Sequence, residues 1–472
     1  MIKGDVTIGW AHVDITPQRK TLVQGQFYTR ISDKIVSPLT ATAMAMEVSA
    51  ADGTTDQAVI VSCDLPQEAF KNNLLSSIAN RCPGLDPAKI TICCTHTHNA
   101  PCQMSGWYDE PADDPDFMPP VEYRLWMAAQ VANAVEEAWT KRAPGSIARG
   151  FGYAVVARCR RATYADGSAQ MYGETDRPDF NGFESCDDHS VNFLFTHNQT
   201  GDLTGIILNI GAVSQCTESG EFFSADFWHP VREHVKTKYG PTVHLLPQCA
   251  PSGDVSPHLL ADKKEEADLR TRMGLDSVGI IGRRIAAALD EALATASTPE
   301  SEIAFAHRVE NMVLPRLRVT REEYELEKRI PHMSDEERNQ QHYAFRSLWP
   351  FGDVCELVSR YENQDTIPNH EAECHIIRIG DVVFATSPFE LFIDYAIRIR
   401  CRSRALQTFL VQLGDGSIEG FYLPTRRALA GGHYSAQIKS CWVGPEGGDI
   451  LVENTVAAIN DLFPDANYPK TR

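Results

Sequence analysis

No stretch of this sequence reaches the roughly 18 apolar residues that a membrane-spanning helix needs. The N-terminal "MIKGDVTIGW" also lacks the apolar core of a secretory leader. Together these absences set a cytoplasmic location without membrane insertion as the expectation. Zinc-finger-like CxxC pairs are missing, and the 13 cysteines are odd in number and irregularly spaced. A chain of 472 residues can bury a large core without disulfide staples, so buried thiols are expected, the adjacent Cys93 and Cys94 among them. Positive charge is short too. Lys and Arg total 44 against 63 Asp and Glu, a formal net charge of -19, which argues against nucleic acid or an anionic membrane as partner. There is no internal repeat and no low-complexity tract.

What is present is a strand-then-helix rhythm. "QAVIVSCDLP", "KITICC", "TGIILNIGAV" and "PTVHLLPQCA" read as strands, and Val121 to Arg142 carries apolar residues at helical spacing. This alternation predicts an α/β fold, with helices packed on sheets. The rhythm breaks after "STPESE", where a strand-like run gives way to a charged helical pattern from Glu322 to Gln340. It resumes at "CHIIRIGDVVFATSP". The residues between look like an insertion or a lobe.

Four stretches could carry chemistry. "TICCTHTHNAP" ends an apolar run with His96 and His98, two residues apart, which share a face if the strand persists. Two imidazoles on one face can begin a zinc site; equally, they can be polar residues closing a strand. "PQCAPSGDVSPHLL" places Asp254 beside Ser256 after a strand, with Gly253 for a tight turn and Pro257 suited to a helix start. Either side chain could simply cap that helix. "DVVFATSPFELF" puts Glu390 between a strand and a helix, where a carboxylate suits the helix dipole and could also ligate a metal. "DGSIEGFYLPT" centres Tyr422 in a strand-end loop, as packing or as a metal or oxyanion group.

In this order the stretches resemble the catalytic domain of the neutral (non-lysosomal) ceramidase family. Thr95 to Pro101 matches its "THTHSAP"-like segment. Gln248 with Gly253 to Pro257 matches "Q…GDVSPN", with His258 in place of asparagine. Ser387 to Glu390 and Gly420 to Thr425 resemble its "PGE" and "GYVPT" segments, and "IGWAHVDITP" its opening. The likeness runs from residue 8 to about 430. It implies a multilayer mixed-sheet catalytic domain spanning 1–472, with an inserted charged helical segment at about 303–370. It also implies one zinc per chain, or another divalent metal, activating water against an N-acyl amide. His96 and Glu390 would be ligands, and Tyr422 the least certain one. His98, Asp254 and Ser256 would line the reacting centre, and Gln248 belongs to the matched segment.

Two departures follow. The family's second histidine ligand has no counterpart, because no histidine occurs from Asn198 to Trp228. Ser214 or Gln215 takes its place, and His229 or Asp226 could substitute. Nor is a membrane-docking element evident, which directs the expectation to a small polar or sugar-like substrate. Arg158, Arg160 and Arg161 form either a solvated cluster or a clamp for an anionic head group. Two other readings stay open: a non-catalytic ligand-binding relative with a degenerate metal site, and a serine hydrolase using Ser256. The latter lacks the GxSxG elbow. Oligomeric state is left open by the sequence.

Overall fold

The computed structural model describes residues 1–334 and 354–464. Along the chain, β1 (Ile2–Asp14), β2 (Thr40–Ala50) and β3 (Thr55–Cys63) are followed by α1 (Lys71–Ile78) and β4 (Ile90–Cys94). The long α2 (Pro120–Thr140) leads to β5 (Ala143–Tyr153), β6 (Ser190–Asn198) and β7 (Leu203–Ile210). Then come α3 (Trp228–Tyr239), β8 (His244–Cys249), α4 (Lys263–Met273) and α5 (Ser277–Ala294). The last part holds β9 (Glu302–Pro315), α6 (Arg321–Arg329), α7 (Val354–Asn363), β10 (Asn369–Ile379) and β11 (Val382–Thr386). It closes with α8 (Ile393–Arg402), β12 (Gln407–Val411), α9 (Arg426–Gly431) and α10 (Pro445–Leu462).

All twelve strands join one mixed sheet that branches at β1. One edge of β1 pairs with β2 from Gly4 to Asp14. The other edge meets β9 at Ile2–Asp5 and then β5 at Thr7–Ile8. Strand alternation explains the layering. On β2, Met44, Met46 and Val48 point into an inner cluster to which every one of the twelve strands contributes and no helix does. The sheet therefore folds over on itself. Ala41, Ala43 and Ala45 point the other way, into a cluster shared with α2, α3 and α5. A third cluster packs α8 and α10 on β9 to β11. The result is an α/β protein with helices on both outer faces.

The expected insertion at 303–370 takes a different form. Glu302–Pro315 is β9, paired with both β1 and β10 in the main sheet. Helix within that range is found at α6, with its Thr320/Glu323 capping box, and at α7. Part of the expected helix Glu322–Gln340 lies outside the described residues. The helix expected at Pro257 does not form, and α4 begins only at Lys263. No helix among the described residues is long and apolar enough to cross a membrane.

Small residues let α2 lie close on β1. A Cβ at Gly9 would sit 2.0 Å from the Ala138 carbonyl oxygen. Gly9→Ala is therefore expected to lower stability by about 1–3 kcal/mol through overpacking. The readout is a lower urea midpoint at unchanged m-value; an unchanged midpoint would mean that α2 shifts freely.

Candidate active site

Three parallel strand pairs, β3–β4, β7–β8 and β11–β12, set the location of the site. The chain leaves β4 into Thr95–Pro101, β7 into Gly211–Glu218 and β8 into Ala250–Ser256. It leaves β11 into Ser387–Glu390 and β12 into Gln412–Tyr422. Loops beyond carboxyl strand ends are the usual place for a site in an α/β sheet. Gln412 ties three of them together: its N–H donates to Cys249 O at 3.0 Å, and its side-chain oxygen accepts from Ser252 N at 2.9 Å and Leu391 N at 3.2 Å. Gly253 is needed for close approach rather than for a turn, because a Cβ there would lie 2.5 Å from the Glu390 carbonyl oxygen.

At the centre, His96 Nε2 lies 3.3 Å from Glu390 Oε2. That carboxylate oxygen is buried without a hydrogen bond. His96 Nδ1 donates to the Pro66 carbonyl, which leaves Nε2 as the nitrogen that faces Glu390. Glu390 and Tyr422 are register partners in a short parallel bridge, and the Tyr422 hydroxyl donates to Glu390. Burial alone would raise the pKa of Glu390, but His96, Arg160 and Tyr422 outweigh it and hold the group low. Burial next to Glu390 pushes the Tyr422 hydroxyl well up.

The Arg160 side chain is buried beside them. It donates to Tyr172 Oη at 3.1 Å, Gln215 Oε1 at 3.3 Å, Gly253 O at 3.0 Å and Tyr422 Oη at 3.3 Å. Glu218 bridges two imidazoles, 3.2 Å from His98 Nδ1 and 3.2 Å from His258 Nε2. Burial opposes its charge, yet the two histidines drive its pKa far below the ordinary carboxylate range. Burial lowers His98, and Glu218 only partly offsets this. Arg30 fixes both partners from behind, donating to the carbonyls of His98 and Glu218 at 2.7 Å each.

The histidine pair does not lie on a strand. β4 ends at Cys94, His96 has φ 58°, and the two rings meet edge to face at 4.9 Å. Ser256 Oγ takes hydrogen bonds from Tyr172 Oη at 3.1 Å and His258 N at 3.1 Å; among the described residues no imidazole reaches it. Asp254 Oδ1 accepts from Ile393 N at 2.8 Å, so it caps α8 rather than a helix of its own.

Three expected site residues lie elsewhere. Gln248 is buried on β8, beside Asn209. Arg161 is fully engaged by Glu184 at 2.6 Å and by the Tyr434, Ala428 and Gly432 carbonyls. His229 sits in the first turn of α3 among Glu233, Arg232 and Lys236, with no bond to His96 or Glu390 among the described residues. Asp226 is occupied by Thr217, accepting from its N–H and its hydroxyl at 3.1 Å each. Tyr172 and Glu218 were not anticipated. Nothing in their local sequence marks them, because their role depends on which loops meet.

A second cluster has metal-ligand chemistry. Among the described residues, ligand atoms of Glu373, His375 and Asp415 fall within 4.8 Å of one another, close enough for one ion. Cationic charge is already there: Lys71 Nζ lies 2.9 Å from Asp415 and also pairs with Glu373. Hydrogen bonding fixes the protons. His307 Nδ1 faces the Gln57 carbonyl at 3.0 Å and must donate, so its Nε2 accepts from His375 Nδ1 at 2.8 Å. His375 Nε2 faces Glu373 at 3.0 Å and Asp415 at 3.2 Å and donates as well. His375 is thus an imidazolium, and two cations balance two carboxylates.

Comparison with solved structures finds this fold in a neutral ceramidase from Pseudomonas aeruginosa, with TM-score 0.67 and 16% identity, covering 99% of this chain and 76% of that one. A ceramidase complexed with C2 aligns with TM-score 0.65 and 16% identity, covering 99% and 77%. The chain thus has the fold of these ceramidases. No family model matches the chain, and no curated protein matches it.

Asp254 offers a pH test. Burial raises its pKa from 3.8 to about 6. The folded state then binds the extra proton, so stability should fall as pH rises through that window. Asp254→Asn should flatten this slope in urea titrations between pH 3.8 and 6; an identical slope in the variant would refute the assignment.

Proposed function

We propose that this protein is a metal-dependent hydrolase, zinc being the favoured ion, that cleaves an N-acyl amide bond of a small polar or sugar-like substrate. The observation that carries this reading is that His96 Nε2 lies 3.3 Å from a buried Glu390 oxygen without a hydrogen bond, while Tyr422, the register partner of Glu390, bonds the same carboxylate. Three protein donors with an open position form the usual catalytic zinc set. The Pro66 carbonyl behind His96 is the outer support that such ligands take. The fold likeness to ceramidases points to the same chemistry.

A metal held by His96, Glu390 and Tyr422 supplies Lewis acidity and a water of lowered pKa. The chain's own residues supply the rest. Glu390 stays ionised because His96 and Arg160 outweigh its burial. The Arg160 guanidinium has its terminal N–H groups committed to Tyr172, Gln215, Gly253 and Tyr422, so it would favour negative charge on the acyl oxygen through its buried positive charge. His98 directs Nδ1 at Glu218, which leaves Nε2 as the atom able to carry a proton to or from the leaving amine.

The non-catalytic reading draws on one observation. Among the described residues no nitrogen ligand replaces the missing histidine: Ser214 Oγ bonds Thr95 O at 2.8 Å, and the Gln215 side chain is held by Tyr172 and Glu218. Elemental analysis decides between the two. The hydrolase reading expects close to one zinc per purified chain, lost in His96→Ala and in Glu390→Gln. Tyr172→Phe, one layer out, should cost about 10–100-fold in metal affinity or activity. Wild-type protein that takes up no metal, even on addition of zinc, would sink the reading.

A further inference from the structure

One cavity shares a wall with this site and has no role in the chemistry described so far. It lies between α4, α5 and the segment 155–158, has a volume of about 420 Å³, and is lined in part by His258, the residue that faces Glu218. That size is typical of small-molecule sites. Its buried lining is apolar, formed by Val156, Ile280 and Ile281, with the exposed Val155 at its edge. Its rim is charged, and two pairs cancel: Arg158 with Asp262 at 3.1 Å and Arg284 with Glu266 at 2.8 Å. Arg270 is left over. Its side chain is half-buried, its Nε is shielded from water without a hydrogen-bond partner, and no carboxylate among the described residues pairs with it. Lys263, on the same rim, likewise has no ion-pair partner among the described residues.

Two unmatched cations around an apolar lining run against a chain whose net charge is -19. Arg270 is only half-buried, but its shielded Nε lacks an acceptor, so a carboxylate entering the cavity would add the missing partner. The planar fork of the guanidinium fits a carboxylate on two points. We infer that this cavity receives the acyl arm of the substrate, a short apolar chain ending in a carboxylate that Arg270 binds. His258 is the shared wall past which that arm runs from the reacting amide. This inference rests on the hydrolase reading and narrows it to amides whose acyl group carries a terminal carboxylate.

Binding can be tested apart from catalysis. Hexanoate and its neutral counterpart hexanamide are titrated calorimetrically into the full-length protein. Hexanoate should bind at least about tenfold more tightly than hexanamide, as a charge-assisted pair provides, and Arg270→Gln should erase that preference. Arg270→Lys, which keeps the charge but loses the fork, should retain part of it. The cavity assignment is overturned if folded wild-type protein binds no hexanoate, if the two probes bind equally, or if Arg270→Gln leaves hexanoate affinity unchanged. His96→Ala separates the two levels. It removes a metal ligand of the hydrolase reading while leaving the cavity intact, so the hexanoate preference should survive even where metal and activity are lost.

Discussion

The buried guanidinium of Arg160 constrains the rest of the site. A cation withdrawn from water must find acceptors or carry a large desolvation cost. Arg160 finds them on loops from distant parts of the chain: Tyr172, Gln215, the Gly253 carbonyl and Tyr422. Satisfying this one group draws those loops together. Its charge also helps keep Glu390 ionised in a setting that would otherwise protonate it. The close approach of Gly253 to the Glu390 backbone is a packing result of the same convergence.

The molecule handles buried charge in two ways. Around Asp415, compensation is nearly complete: Lys71, His375, Thr91 Oγ1 at 2.7 Å and Ile92 N at 3.1 Å all address one carboxylate. That network joins α1, β4, β10 and the loop after β12, and it reads as structural. Around Glu390 compensation is incomplete. Glu390 Oε2 and Asp254 Oδ2 are both buried without hydrogen bonds. Unsatisfied buried polar atoms are rare in folded proteins and call for an explanation such as a ligand or ion. The contrast is what supports proposing the Glu390 site, and not the Asp415 cluster, as the functional one.

Much of the architecture could be read from residue pattern alone. Buried strands such as "KITICC" and "TGIILNIGAV" are mostly apolar, and the helices between them keep a 3.6-residue period. β9 falls in the strand-like run after "STPESE", but the charged helical insertion expected at about 303–370 took in most of it, because Arg308, Glu310 and Asn311 dilute its apolar alternation. In the site, strand-end position made His96, Glu390 and Tyr422 candidates, the resemblance to ceramidases implied that they are ligands, and the structure brings these three close. Gln248 and Arg161 match the right stretches, but one lies within a strand and the other in a closed ion pair. Glu218 and Tyr172 depend on contacts across 40 or more residues, which spacing along the chain does not encode.

His96, Tyr172, Asp226 and Phe421 all have left-handed backbones, with φ between 52° and 58°. For residues with a full side chain this conformation costs about 1–3 kcal/mol each and persists only where the surroundings enforce it. The strand core gains nothing from it. The strain is therefore concentrated in the loops above the sheet, and these should be the first part of the molecule to open in native-state hydrogen exchange, before any strand of the inner cluster. A ligand that fills the site would hold those loops shut, and its binding would register as slowed exchange there while the folded sheet beneath stays unchanged.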